Sequence, residues 1–277
     1  MEITHLDVAQ AFLNAKIDSE VYVAPADGDP DYSSKDFVFK LNRALYGLSQ
    51  SPMLWAKTLR EFLINIGFKV VGYEGATYRL EKDGMRLILV TYVDDLQLIY
   101  HRDHTRLADE VIKAFADKFK ITNEGDLTWH LGIHYVRDRE RRVTVASQEQ
   151  YLESVLERFG YQDLKPRSTP MIPNTRLVKA LETELLSEDE TRLFREQLGC
   201  LMYLSTMTRL DISFVCSELS KFMQNPGQEH LAALKRVFRY LSGTRSRGLI
   251  FHGNPDEQSV LMGYSDADWS NDPATSK

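Results

Sequence analysis

The sequence has 277 residues, 43% of them hydrophobic, and a formal net charge of -6. That is enough apolar material for a sizeable core spread over two or three subdomains, and the acidic balance excludes a surface that binds polyanions throughout, so any nucleic-acid contact must be local. Cys200 and Cys216 are the only cysteines and lack metal-ligand spacing, which argues against a disulfide framework or a structural zinc site and fits a reducing compartment; no apolar run reaches membrane-spanning length, and the first residues lack signal-peptide character.

Ile3-Thr4-His5-Leu6-Asp7-Val8 alternates like a strand and runs into Ala9–Asn14, whose small and apolar residues suggest a helical turn, so Asp7 falls at the strand end. By itself such a carboxylate is an ordinary cap or turn residue. A short strand is expected around Glu20–Val23, then a loop from Ala24 to Asp31 and a strand at Phe37–Leu41. Tyr46-Gly47-Leu48 precedes Ser49-Gln50-Ser51-Pro52, which combines an N-cap serine with proline at the first helical position. Leu54, Trp55, Leu59, Phe62, Leu63 and Ile66 continue that helix to Gly67, while Gly47 admits close approach of a phosphate or base just ahead of it.

Thr77–Leu80 and Arg86–Leu89, joined through Lys82-Asp83-Gly84, carry a hairpin signal. The second of these strands leads into an apolar, β-branched run broken only by Asp94-Asp95, and the pair is expected at the tip of a further hairpin. Two close like charges repel there unless a cation lies between them. An amphipathic helix follows from Asp103 to Phe119, with Leu107, Val111, Ile112, Phe115 and Phe119 on one face and a basic end at Lys118-Phe119-Lys120. Trp129–Val136 and Arg142–Val145 read as another hairpin, Gln148–Phe159 as a helix closed by Gly160, and Pro166–Pro173 as a linker or an extended crossing. Helical patterns at Glu188–Thr206, Asp211–Gln224 and Gly227–Leu241 come next, then strands at Arg247–Phe251 and Ser259–Tyr264. Lys235, Arg236, Arg239, Arg245 and Arg247 form either a basic patch for a nucleic-acid duplex or a solvated helix face.

Leu6-Asp7-Val8-Ala9-Gln10-Ala11-Phe12-Leu13-Asn14, Leu45-Tyr46-Gly47-Leu48-Ser49-Gln50-Ser51-Pro52 and Tyr92-Val93-Asp94-Asp95, in this order, resemble the reverse transcriptase of copia-type retrotransposons. The resemblance runs almost end to end. Leu131-Gly132-Ile133 looks like the segment that grips the primer terminus, Thr208–Ile212 and Lys235–Thr244 resemble the region after the polymerase, and Gly263–Trp269 looks like the first strand of a ribonuclease H domain. It implies an α+β fold with partial fingers and palm over 1–147, a thumb-like segment and linker over 148–186, a helical connection segment over 187–252, and a truncated start of ribonuclease H over 253–277.

The implied activity is RNA-directed DNA synthesis with two Mg2+ ions, Mn2+ being the alternative, held by Asp7, Asp94 and Asp95. The chemistry agrees, since joining a nucleotide to a primer 3' hydroxyl requires an activated hydroxyl and a neutralised pyrophosphate, which paired hard cations on carboxylate oxygens supply. By the same resemblance Phe12 lies under the incoming sugar and excludes a 2' hydroxyl, Gly47, Ser51 and Pro52 line the nucleotide and template side, Lys120 protonates pyrophosphate, and Asp266 opens an incomplete ribonuclease H site. The implied partners are an RNA or DNA template with primer and deoxynucleoside triphosphates, without a membrane, in the cytoplasm within a virus-like particle or in the nucleus. The basic finger strands that precede the family's first motif are not in this sequence, and Leu210, Ser49 and Met53 stand where the family has proline and basic residues. A retroelement remnant that folds or binds nucleic acid without catalysis is the alternative, and an unrelated metal enzyme built on the same carboxylates is a third reading.

Overall fold

A computed structural model describes residues 1–25 and 38–253, so the expected loop over 26–31, Phe37, the strand at Ser259–Tyr264 and Asp266 lie outside the described residues. The chain divides into two compact units, Met1–His130 and Leu131–Lys277. Both mix helices with antiparallel strands.

In the first unit the strands are β1 (Glu2–Val8), β2 (Tyr22–Val23), β3 (Phe39–Lys40), β4 (Lys69–Val71), β5 (Thr77–Lys82), β6 (Met85–Tyr92), β7 (Asp95–Tyr100), β8 (Ile121–Asp126) and β9 (Trp129–His130), and the helices are α1 (Ser51–Asn65) and α2 (Thr105–Lys118). Six of the strands make one sheet in the order β4-β5-β6-β7-β1-β8, and β2 pairs with β3 separately. The period-2 alternation of β1 puts Thr4, Leu6 and Val8 on the buried face and Ile3, His5 and Asp7 on the other. Leu87, Leu89, Leu96 and Leu98 share the buried face and pack in one core with Leu54, Trp55, Leu59 and Leu63 of α1 and Leu107, Ala108, Val111 and Phe115 of α2. The helices therefore cover one side of the sheet, and the carboxylates stand on the side they leave open.

Turn chemistry sets the registers. Asp83 and Gly84 both have positive φ between the paired residues Lys82 and Met85, the geometry that a two-residue hairpin turn requires and Asp-Gly supplies. Helix α1 starts one residue earlier than its sequence suggests. Ser51 is already helical, with Gln50 at the N-cap, because its hydroxyl donates back to the Leu45 carbonyl at 2.6 Å instead of capping.

The second unit holds β10 (Ile133–Asp138), β11 (Val143–Ser147), β12 (Leu249–His252), α3 (Glu149–Arg158), α4 (Glu188–Met207), α5 (Ser213–Ser220) and α6 (Gln228–Ser242). The strands pair antiparallel in the order β12-β11-β10, and the helices share a core that includes Leu152, Leu156, Phe194, Leu198, Leu201, Val215, Leu234 and Phe238. The expected strand Trp129–Val136 is interrupted, because Leu131 and Gly132 both take positive φ. Ser187 and Glu190 form the reciprocal cap that starts α4.

The expected basic patch is tied into the fold. Arg236 donates to Thr169 Oγ1 at 2.8 Å, Arg239 to the Lys165 carbonyl at 2.7 Å, Arg245 to the Gln162 carbonyl at 3.1 Å and Arg247 to the Tyr240 hydroxyl at 3.0 Å. The first three of these bonds hold the segment from Gln162 to Thr169 against α6 and its C-terminal end. Of the two readings of the Pro-rich stretch, these bonds favour the extended crossing.

Candidate active site

Strand pairing brings together carboxylates that are remote in sequence. Asp7 lies directly opposite Asp95 in the β1–β7 register, and the Val8 amide donates to the Asp94 carbonyl at 3.0 Å. Tyr92 pairs with Asp95 across the β6–β7 hairpin, so the turn residues are Val93 and Asp94. That corrects the expectation of an Asp-Asp tip: Asp94 is in the turn, and Asp95 is already the first residue of β7.

Val93 holds φ at 54°, a left-handed conformation that costs a β-branched residue about 1–2 kcal/mol. Trp55 of α1 holds it there, its indole Nε1 donating to the Val93 carbonyl at 2.7 Å. The helix that follows the second motif thereby fixes the turn of the third. The strand end is held from the other side as well, the Ala9 amide donating to the Lys120 carbonyl at 2.9 Å.

Burial raises the pKa of Asp7 above the usual carboxylate range, and the charges of Asp94, Asp95 and Glu124 push the same way, while His5 opposes them. Glu124 was not visible as a site residue in the sequence. It sits where β8 shifts register against β1, opposite the His5–Leu6 step, and that irregularity adds a fourth negative charge to the neighbourhood. An oxygen-rich group with uncompensated negative charge suits a hard divalent cation such as Mg2+. Asp7→Asn should therefore raise the melting temperature in metal-free buffer, on the order of 2 °C, by relieving repulsion. Calorimetry that instead recorded a clear fall would make Asp7 a structural anchor.

Two histidines flank Asp95. His5 Nε2 lies 3.0 Å from Asp95 Oδ1, and His130 Nδ1 lies 3.8 Å from Asp95 Oδ2. Burial lowers the pKa of His130, although Asp95 opposes this and His5 reinforces it. Neither histidine stands out in the sequence, because each falls within a strand-like run.

Phe12 lies in a 3-10 turn (Ala11–Asn14) and stacks at a tilt on Tyr46, with ring centroids 4.6 Å apart. The first and second motifs meet there. Gly47 has φ 95° and nothing within 4 Å of where a Cβ would stand, so the backbone beside Tyr46 is open. Pro52 and Lys120 are exposed, but Ser51 is fully buried on its bond to Leu45, so its part is to hold the loop that carries Gly47. In the second unit Leu131 and Gly132 form a tight turn, the Tyr203 hydroxyl donates to the Leu131 carbonyl, and Ile133 is buried.

Residues 1–173 match the model of a family described as reverse transcriptase (RNA-dependent DNA polymerase). The chain is 36% identical over 274 residues to the retrovirus-related Pol polyprotein from transposon RE1 of Arabidopsis thaliana, and 34% identical over 277 residues to that from transposon TNT 1-94 of Nicotiana tabacum. Each alignment covers 98% of this chain, which spans 18% and 20% of the two polyproteins. A putative transposon Ty5-1 protein of Saccharomyces cerevisiae is 30% identical over 263 residues, covering 95% of this chain and 82% of that protein.

Proposed function

The chain belongs to the reverse transcriptase family of copia-type retrotransposon Pol polyproteins, and from that premise we propose that it is a polymerase segment which extends a primer 3' hydroxyl with deoxynucleotides on an RNA or DNA template. The observation that carries this reading is the register pairing of Asp7 with Asp95 beside the Asp94 turn, which joins the first and third motifs on the open face of one sheet. In this reading 1–147 is palm with partial fingers, 148–186 a thumb-like segment with linker, 187–252 a connection segment and 253–277 the opening of a ribonuclease H fold. Its working place is a cytoplasmic virus-like particle or the nucleus. Among the described residues no helix is long and apolar enough to cross a membrane.

Asp7, Asp94 and Asp95 are the residues that would hold two Mg2+ ions, or Mn2+ in their place. When bound, such ions activate the primer hydroxyl and neutralise the leaving pyrophosphate. Asp7 presents its carboxylate from the strand end, Asp94 from a turn that Trp55 immobilises, and Asp95 from the start of the next strand. Lys120, exposed beside the strand end, offers a proton to the pyrophosphate. Gly47 leaves backbone room for the nucleotide or template, Pro52 in the first turn of α1 lines the same side, and Leu131, Gly132 and Ile133 position the primer terminus. RNA-templated extension of a DNA primer tests the reading. Folded protein that binds template but adds no nucleotide would favour the non-catalytic alternative.

Phe12 supplies the selectivity in this account. Its ring, stacked at a tilt on Tyr46, follows the strand end that carries Asp7, where it would close off the space an added 2' oxygen needs. Overlap of that kind is worth a few kcal/mol, about two decades in rate. Phe12→Val should raise ribonucleotide relative to deoxynucleotide incorporation at least about tenfold. An unchanged ratio at matched melting temperature would leave Phe12 as a packing residue.

A further inference from the structure

On the open face of the first unit, His5, Asp95 and His130 offer one ligand atom each, and these atoms all lie within 4.8 Å of one another. The side chains are largely enclosed, with 17% of His5, 29% of Asp95 and 10% of His130 exposed. His130 Nδ1 is buried without a hydrogen-bond partner, its nearest charged group being Asp95 Oδ2 at 3.8 Å. An unsatisfied buried nitrogen is costly to maintain, and coordination would relieve that cost. The two imidazole rings stand edge to face, with centroids 6.2 Å apart and planes at 83°, and Asp95 lies within reach of both.

We propose that His5, Asp95 and His130 form a three-ligand site for a divalent transition cation of the Zn2+ class, separate in chemistry from the carboxylate group around Asp7. Two imidazoles and one carboxylate suit Zn2+, Co2+ or Ni2+, whereas Mg2+ prefers oxygen donors. A tetrahedral zinc ion with bonds near 2.0–2.1 Å sets its ligand atoms about 3.3 Å apart. His5 Nε2 and Asp95 Oδ1 already stand at 3.0 Å, so seating the ion needs a closing movement of the His130 ring by about 1.5 Å at most. Three protein ligands leave a fourth position for water. Asp95 then belongs to two centres, and an ion on the histidine side draws its carboxylate away from Asp7.

The test uses Co2+ as a spectroscopic probe, titrated into the whole chain in excess Mg2+ and followed by the visible absorption of tetrahedral Co2+, with Zn2+ displacing it. One equivalent should bind, and His130→Asn and His5→Asn should each weaken binding at least tenfold while Asp94→Asn leaves it unchanged. Melting curves identify any variant that has lost its fold; His5→Asn decides the matter if His130→Asn does not fold. Wild-type affinity in a folded histidine variant would overturn the proposal. So would binding that Asp94→Asn abolishes, or binding that instead depends on the surface pair His101 and His104.

Discussion

Asp94→Asn should lower nucleotide incorporation by about a thousandfold in a polymerase-competent form of the chain, which corresponds to roughly 4 kcal/mol in the barrier. The substitution keeps the size of the side chain and removes one negative oxygen at the position where the proposed mechanism holds a cation against the triphosphate. The fold should barely respond, because what the structure fixes at this position is backbone: the Asp94 carbonyl accepts from Val8, and the neighbouring Val93 carbonyl accepts from Trp55. Both bonds survive in the variant. Single-turnover primer extension on protein of matched melting temperature measures the effect, and a rate within about threefold of the parent would remove Asp94 from the chemistry.

The second large effect is structural. Arg209→Met should destabilise the second unit by about 3–5 kcal/mol, because it leaves a half-buried carboxylate and a carbonyl without their partner. Arg209 is 2% exposed and grips Asp211 with two bonds, Nε to Oδ1 at 3.0 Å and a terminal nitrogen to Oδ2 at 2.9 Å. It also donates to the Thr244 carbonyl at 3.0 Å and to the Thr244 hydroxyl at 2.7 Å, and Tyr240 donates its hydroxyl to Asp211 at 2.5 Å. Two stretches singled out in the sequence, Thr208–Ile212 and Lys235–Thr244, are thus clamped together by one guanidinium group. The expected fall in the unit's melting temperature is roughly 10 °C. A change within about 2 °C would show that the clamp is dispensable.

The same network has a pH signature. Burial opposes ionisation of Asp211, but the hydrogen bonds from Arg209 and Tyr240 and the Arg209 charge outweigh it and hold the carboxyl below its ordinary value of 3.8. The unfolded chain then binds the proton first, so the stabilisation is complete above the unfolded pKa and is lost as pH falls through the folded one. Asp211→Asn should be less stable than the parent at neutral pH, and the gap should narrow below about pH 4. A gap that stays constant from pH 7 to pH 3 would contradict the ionised clamp.

Most elements were legible because their local signals agree with the fold around them. Asp83-Gly84 fixed a hairpin through its backbone preference, and the 3.6-residue spacing in Leu54–Leu63 and Leu107–Phe115 marked the faces that cover the sheet. Reading failed where tertiary contacts override local preference. Valine is among the last residues expected at positive φ, so the turn at Val93–Asp94 could be placed only once Trp55 was seen to hold it. Trp129–Val136 has the composition of one strand, yet the turn at Leu131-Gly132 divides it. Of the site, Asp7 and Asp94 were visible as carboxylates in otherwise apolar runs. Glu124 was not, since its place depends on a register shift, and His5 and His130 acquire significance only from their approach to Asp95. Arginines on a helical pattern look solvated until their carbonyl acceptors are known, as Arg239 and Arg245 show.

In the proposed mechanism carboxylates from two separate motifs, Asp7 and Asp94, hold divalent cations in common, with Asp95 alongside. A titration of Mn2+ into the chain, with the free ion counted by electron paramagnetic resonance, tests this for the parent and for Asp7→Asn and Asp94→Asn. Binding should be saturable, displaced by Mg2+ and weakened at least about tenfold by each substitution, since either one removes a charged ligand of the same ion. Binding that is unchanged in both variants, or that only one of them affects, would contradict it.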